Sequence, residues 1–303
     1  MRIIFAGSGE FGIPTLAGLL DAGHEIVLTI SQPDRPAGRG RHLTPTPISR
    51  LAAERDLRLL KTANLNQEKL PPADLLLVIA FGQKIAPHIV DHAKFKAINL
   101  HGSRLPKFRG AGPINAAILA GESISGNTII RIAPRMDAGA MLRQSSLYIG
   151  ELETAGELHD RLSADGPALV MDVIQQLEQG KAVETEQDES QASRAPKLSR
   201  QSANIDWTQS ADRIARQIRG MYPWPGCHVR LMESDECGRA TLVRARPVDG
   251  GGAPGEIISP DTVATGSGAV QIVEIQPEGK RPMPLRAFAN GHPWRIGMRL
   301  ESI

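Results

Sequence analysis

An amide, an imidazole and a carboxylate stand at the ends of apolar runs in this chain. Asn99-Leu100-His101 closes one run, and Asp137 follows in Met136-Asp137-Ala138-Gly139. Histidine exchanges protons near neutral pH, asparagine donates to a carbonyl oxygen, and aspartate orients and charges a neighbouring imidazole. Such a set needs neither a metal nor a nucleophilic serine or cysteine. The run Ala97-Ile98-Asn99-Leu100 leads into the loop Gly102-Ser103-Arg104-Leu105-Pro106. Open α/β sheets bind ligands at the carboxyl ends of their strands, so position and chemistry coincide here. On spacing alone, a catalytic group and a surface histidine beside an aspartate are equally good readings.

The elements that position these residues follow from apolar patterning. Runs at 3–6, 26–30, 75–80 and 97–100 lack polar alternation and predict buried strands. Helical patterns at 14–22, 47–55 and 114–120 separate them, which predicts a mostly parallel, Rossmann-like α/β sheet with helices on both faces. Segments 128–132 and 141–149 alternate and predict added antiparallel strands. Thr154-Ala155-Gly156-Glu157 has the form of a capping box. The helix after it carries Leu158, Leu162, Leu169, Val173 and Leu177 on one stripe, with a bend expected at Gly166-Pro167.

Polar residues 184–202 predict a connector. Beyond it a helix is expected near 210–221. Short Val- and Ile-rich runs separated by Gly and Pro then predict a small, OB-like β barrel. The domain expectation is 1–188, a linker at 189–206, and 207–303. A length of 303 residues suits two domains, and a net charge of +2 requires any basic footprint to be local. Two cysteines, Cys227 and Cys237, argue against a disulfide scaffold and for a reducing compartment. No apolar run approaches the ~20 residues that span a bilayer. Met1 leads straight into Arg2-Ile3-Ile4-Phe5-Ala6, a strand rather than a signal peptide. A cytoplasmic protein with no membrane contact and no obligate protein partner is the expectation.

Three further features invite function. Gly7-Ser8-Gly9-Glu10-Phe11-Gly12 matches a dinucleotide fingerprint in form, but no acid closes the second strand, where Ser31-Gln32-Pro33 follow. A tight strand–helix turn is the favoured reading, and an NADP-binding oxidoreductase the distant one. The loop at 32–42 places Arg35, Arg39 and Arg41 on a Gly/Pro backbone, suited to phosphates or simply solvated. Arg213, Arg216 and Arg219 recur along one helix edge, and Lys280-Arg281 fall in a turn. Trp207, Trp224 and Trp294 read as barrel or interface packing rather than base-stacking platforms, and the histidines show no metal-ligand spacing, so no metal is expected.

Taken together these motifs resemble the methionyl-tRNA formyltransferase family of folate-dependent formyltransferases, nearly end to end. The shared core is Asn99-Leu100-His101, Gly102 to Pro106, Arg109-Gly110-Ala111-Gly112-Pro113-Ile114 and Met136 to Gly139. Glycinamide ribonucleotide and sugar-nucleotide formyltransferases carry that core too. The loop Gln32 to Gly40, Lys197-Leu198-Ser199 with Ile205-Asp206-Trp207, and Tyr222-Pro223-Trp224-Pro225 set the tRNA enzymes apart. Arg104 stands where the family usually has Leu, and Gly9 where Pro is common.

The resemblance implies 10-formyltetrahydrofolate as donor cosubstrate and methionyl initiator tRNA as acceptor, with Asn99, His101 and Asp137 catalytic. It implies folate contacts at Phe81, Gly82, Ser103, Arg104, Leu105 and Pro106. It implies that the loop at 32–42 engages the acceptor arm of the tRNA and that the barrel domain at 207–303 holds the tRNA body. The contacts it implies are Arg35, Arg39, Arg41, Arg213, Arg216, Lys280 and Arg281. A formyltransferase acting on a sugar nucleotide or ribonucleotide, and an RNA-binding protein without activity, are the other readings.

Overall fold

The structure is a computed structural model and describes residues 1–37, 40, 42–233 and 236–303. Two compact units divide the chain: 1–113, 125–147 and 159–195 form the first, and 114–124, 148–158 and 196–303 the second.

The first unit is built on a seven-stranded sheet in the order Met141–Gln144, Thr128–Arg131, Ala97–His101, Leu75–Ile79, Arg2–Gly7, Glu25–Ser31, Leu59–Lys61. The five strands from Ala97–His101 to Leu59–Lys61 are parallel. Thr128–Arg131 runs antiparallel to both its neighbours. All of Leu75–Ile79 is buried, as a strand covered on both faces must be. Strand order reverses between Arg2–Gly7 and Leu75–Ile79, the switch point at which such sheets open a crevice. The α/β expectation is met, and the short edge strand Leu59–Lys61 is an addition to it.

Helix Ala155–Glu178 runs uninterrupted through Pro167, where a bend was expected, and its stripe Leu158, Leu162, Leu169, Val173 and Leu177 is buried. A Cβ on Gly166 would lie 2.9 Å from both Leu100 Cδ2 and Thr15 Oγ1. The missing side chain therefore lets this helix close on the strand that carries Asn99 and His101. Thr154 and Glu157 form the expected reciprocal cap, with backbone-to-side-chain distances of 3.0 and 3.3 Å.

The segment expected as a polar connector differs in its first half. Thr185 exchanges two backbone hydrogen bonds with Met141, at 2.8 and 2.9 Å. Arg194–Ala195 then pairs in parallel with Arg109–Gly110. Residues 185–195 thus form a strap on the first unit.

The second unit is antiparallel: Ile257–Ser259, Thr262–Ala264, Ala269–Pro277, Glu236–Val248, Cys227–Glu233 and Arg299–Ser302 pair in that order. A bridge between Glu256 and Arg299, with Ile257 N–H donating to Met298 O at 2.9 Å, joins the two ends into a barrel. Helix Ala211–Met221 buries Ile214, Ile218 and Met221 in a core shared with Val229, Leu231, Leu242 and Ile272. Trp207 and Trp294 belong to that core, as barrel packing requires, whereas Trp224 is 54% exposed and lies outside it. Burial pushes the Cys227 thiol up to about 12. No helix among the described residues is long and apolar enough to cross a membrane.

Candidate active site

Asn99 and His101 lie two residues apart on one strand, so they share a face, roughly 7 Å apart along the chain. Asn99 is half-buried, and its side-chain amide makes no hydrogen bond among the described residues. His101 is buried, at 6% exposure. Its Nε2 lies 3.0 Å from the Phe108 carbonyl oxygen. A carbonyl only accepts, so Nε2 carries a hydrogen and Nδ1 is the nitrogen that gains or loses the second proton.

Nδ1 faces Asp137 Oδ2 at 3.7 Å, within ion-pair reach but too long for a hydrogen bond. The carboxylate is held from its other side, where Gly110 N–H donates to the same Oδ2 at 2.9 Å. Asp137 sits in the left-handed region, with φ +53, a conformation that aspartate tolerates better than most residues. Gly110 has φ +128, and a Cβ there would lie 2.3 Å from the Ala195 carbonyl oxygen. Only glycine can bring this N–H to Asp137 while pairing with the strap.

Behind the carboxylate the strap supplies a clamp. Buried Gln187 donates through Nε2 to the carbonyls of Asp137 and Gly139, each at 2.8 Å. Its Oε1 accepts from Arg109 Nε and Nη2, at 3.0 and 2.7 Å. Arg109 also pairs with Glu189 at 2.9 Å, and that guanidinium holds the Glu189 carboxyl below its ordinary value. Ser193 Oγ accepts from Phe108 N–H at 2.9 Å, fixing the residue whose carbonyl receives the His101 proton. The expectation of a connector concealed all of these contacts, since nothing local to Gln187 or Ser193 marks them.

The loops expected to meet folate leave neighbouring strand ends. Phe81 and Gly82 follow Leu75–Ile79, and Gly102 to Pro106 follow Ala97–His101. Phe81, Ser103 and Leu105 are buried, and Ser103 Oγ is already committed to the Lys107 carbonyl at 2.7 Å. Arg104 is exposed and reaches Gln144 at 3.3 Å, while Pro106 is half-buried. At the switch point a cavity of about 220 Å³ is lined by Ser8, Gln32, Arg35, Thr46, Phe81 and Gly82, among others.

Of the basic loop, Arg35 is exposed, donates to Gln32 Oε1 at 2.6 Å, and stands on a hairpin in which Arg35–Ala37 pairs with His42–Thr44. Arg39 and Arg41 lie outside the described residues. In the second unit Arg213, Lys280 and Arg281 are exposed, and Arg216 is 3.9 Å from Asp212 along its own helix. No group of three or more metal-ligating side chains occurs among the described residues.

Comparison with known proteins bears on both units. A family model described as formyl transferase matches residues 1–174, and one described as formyl transferase, C-terminal domain, matches 197–293. The chain is 39% identical to a methionyl-tRNA formyltransferase from Methylococcus capsulatus, over 96% of this chain and 97% of that protein. It is 38% identical to a methionyl-tRNA formyltransferase from Methylobacillus flagellatus, over the whole of both. Among solved structures, WlaRD, a sugar 3N-formyl transferase studied with dTDP and 5-N-formyl-THF, superposes with a TM-score of 0.68. It is 18% identical, over 93% of this chain and 99% of that one, and shows a shared fold.

Proposed function

The chain belongs to the formyl transferase family, and on that premise we propose that it moves a formyl group from 10-formyltetrahydrofolate to the α-amine of methionyl initiator tRNA. End-to-end likeness to methionyl-tRNA formyltransferases, at 39% identity across both units, carries this reading. The placement of Asn99 and His101 on one strand face, with Asp137 on the loop 132–140 at 3.7 Å from His101, supports it.

In this reading the Asn99 amide, with no bond of its own in the first unit, donates to the formyl oxygen. His101 turns its Nδ1 proton to the same oxygen as negative charge develops there. Donors placed for a developing charge are worth ~3–4 kcal/mol each. Asp137 neutralises the imidazolium and keeps it oriented, while Gly110 keeps Asp137 in place. The α-amine attacks in its neutral form, which an amine of pKa about 8 supplies in useful amount near pH 7. A carbon–nitrogen bond to the acceptor forms, the bond to N10 of the donor breaks, and the amine proton ends on N10. Asp137 can relay that proton through a water.

The loops at 81–82 and 102–106 border the edge where these groups converge, and they are the segments that receive the donor. Arg104, exposed on that loop, extends a charge toward solvent, where a folate glutamate would lie. Arg35, Arg39 and Arg41 meet the acceptor end of the tRNA, and the barrel unit meets its body. A cytoplasmic location fits a substrate of translation.

Incubation with 10-formyltetrahydrofolate and charged initiator tRNA should yield N-formylmethionine on the tRNA. Its absence, with an amino sugar nucleotide formylated in a parallel tube, would move the assignment to the sugar-nucleotide class, which the 0.68 TM-score keeps in view.

A further inference from the structure

We propose that the barrel unit carries a distinct nucleotide-binding groove, in which Trp224 stacks an unpaired RNA base while Arg200, Arg230 and Arg239 hold the flanking phosphates. The inference rests on the reading of tRNA as substrate and names a surface for it that the expected contacts do not include. The groove encloses about 940 Å³, too large for a lone phosphate, and runs from Arg200 past Trp224 and the barrel face to Ile303. None of Arg213, Arg216, Lys280 and Arg281 lines it.

Three observations point to its occupant. Arg230 and Arg239 sit directly opposite each other on paired antiparallel strands. Like charges in that register repel. Glu301, which faces Arg230 from the strand on its other side, forms no ion pair with it, so an anion in the groove relieves the repulsion. Neither they nor Arg200 makes an ion pair among the described residues, and Glu278 is the only acidic side chain among the residues that line the groove. A free cluster of guanidinium groups is therefore aimed at one solvent-filled depression. Trp224 is 54% exposed between Pro223 and Pro225, and it lines the same groove. His228 adds a ring there, held through Nδ1 at 2.8 Å from Thr241 Oγ1, so its Nε2 is left for the ligand.

Cationic side chains beside an exposed aromatic face are the requirements for single-stranded nucleic acid: backbone neutralisation plus sequence-tolerant stacking. A duplex keeps its bases inside and offers the indole nothing. The groove accordingly selects a nucleotide outside helical pairing.

Indole fluorescence reads this directly, because Trp207 and Trp294 are buried and Trp224 is the exposed emitter. The full chain, Trp224→Phe and Arg230→Ser/Arg239→Ser are each titrated with uncharged initiator tRNA, with binding also followed by filter retention. Parent emission should be quenched saturably, and the quench should vanish in Trp224→Phe, whose affinity falls about tenfold or more. The arginine variant should bind at least tenfold more weakly near 0.15 M salt, with a log–log salt slope reduced by ~1.5. Circular dichroism confirms that these surface variants fold. Parent emission that stays constant at saturation, with parental affinity and salt slope in the arginine variant, overturns the groove. Formylation assayed on the same parent sample separates the two ideas: product with an unaffected variant sinks the groove alone, and groove binding without product sinks the proposed activity alone.

Discussion

The side-chain amide of Gln187 donates to the backbone carbonyl of Asp137 at 2.8 Å, fifty residues earlier in the chain, and to Gly139 at the same distance. A buried amide bonded in this way holds the aspartate turn in a conformation it would not keep alone. Gln187 is thus a positioning residue. Gln187→Ala should lower kcat by about ten- to a hundredfold with little change in KM for tRNA, since misplacement acts on the transition state. Loss of this buried donor should also cost about 1–3 kcal/mol in denaturant unfolding. Steady-state kinetics with both substrates gives the split; a change confined to KM would count against the role.

Asn99, His101 and Asp137 make a sharper expectation. His101→Ala and Asp137→Ala should each reduce turnover by orders of magnitude, and Asn99→Ala by about a hundred- to a thousandfold, as for one oxyanion donor. The His101 and Asp137 variants should also lose about 1–3 kcal/mol of stability, since the Phe108 carbonyl or the Gly110 N–H is left without its partner. Turnover is therefore compared on protein shown to be folded. Near-parental turnover in the His101 and Asp137 variants would reject the mechanism.

Gly110 tests the strap from the backbone side. With φ +128 and only 2.3 Å from a Cβ position to the Ala195 oxygen, Gly110→Ala must push the strap away or abandon its bond to Asp137. A loss of about 2–4 kcal/mol is expected from strain and overlap together. Chemical denaturation measures it, and activity should fall as well.

Acid sensitivity follows from Glu157, whose carboxyl Arg244 lowers to about 2, chiefly through their hydrogen bonds at 2.5 and 2.7 Å. A carboxyl with a depressed folded-state pKa stabilises the fold above its ordinary value near 4.5, and that contribution disappears as pH falls through about 2. Glu157 is 46% exposed, so solvent screening holds the effect to about 1 kcal/mol. Arg244→Met should be less stable than the parent above pH 5, and the difference should shrink between pH 4.5 and 2. Urea midpoints across that range provide the check.

Much of this architecture was legible from periodicity. Buried parallel strands advertise themselves as unbroken apolar runs, and Leu75–Ile79 is the clearest. Asn99 and His101 were legible because a strand places alternate residues on one face. The hairpin Arg35–Ala37 with His42–Thr44 was not, since three-residue arms over Gly and Pro carry no period. Gln187 was invisible because its partners are 48 to 78 residues away and its neighbours are polar. Which tryptophan stays outside the barrel core was not legible, since an indole has the same hydrophobicity whether buried or exposed, and only the fold decides. Arg230 and Arg239 became a pair only once strand register was known.

The strap that closes on Arg109 and Gly110 also limits how such chains can recombine. A crossover placed ahead of Thr185 would give the sheet a foreign glutamine arm and a foreign Ala195 carbonyl, mismatched to the turn they must grip. A junction after residue 195 lets each sheet keep the arm it was matched to, but parts Arg244 from the Glu157 it was paired with. Chimeras made there should keep their aspartate turn intact and lose that ion pair.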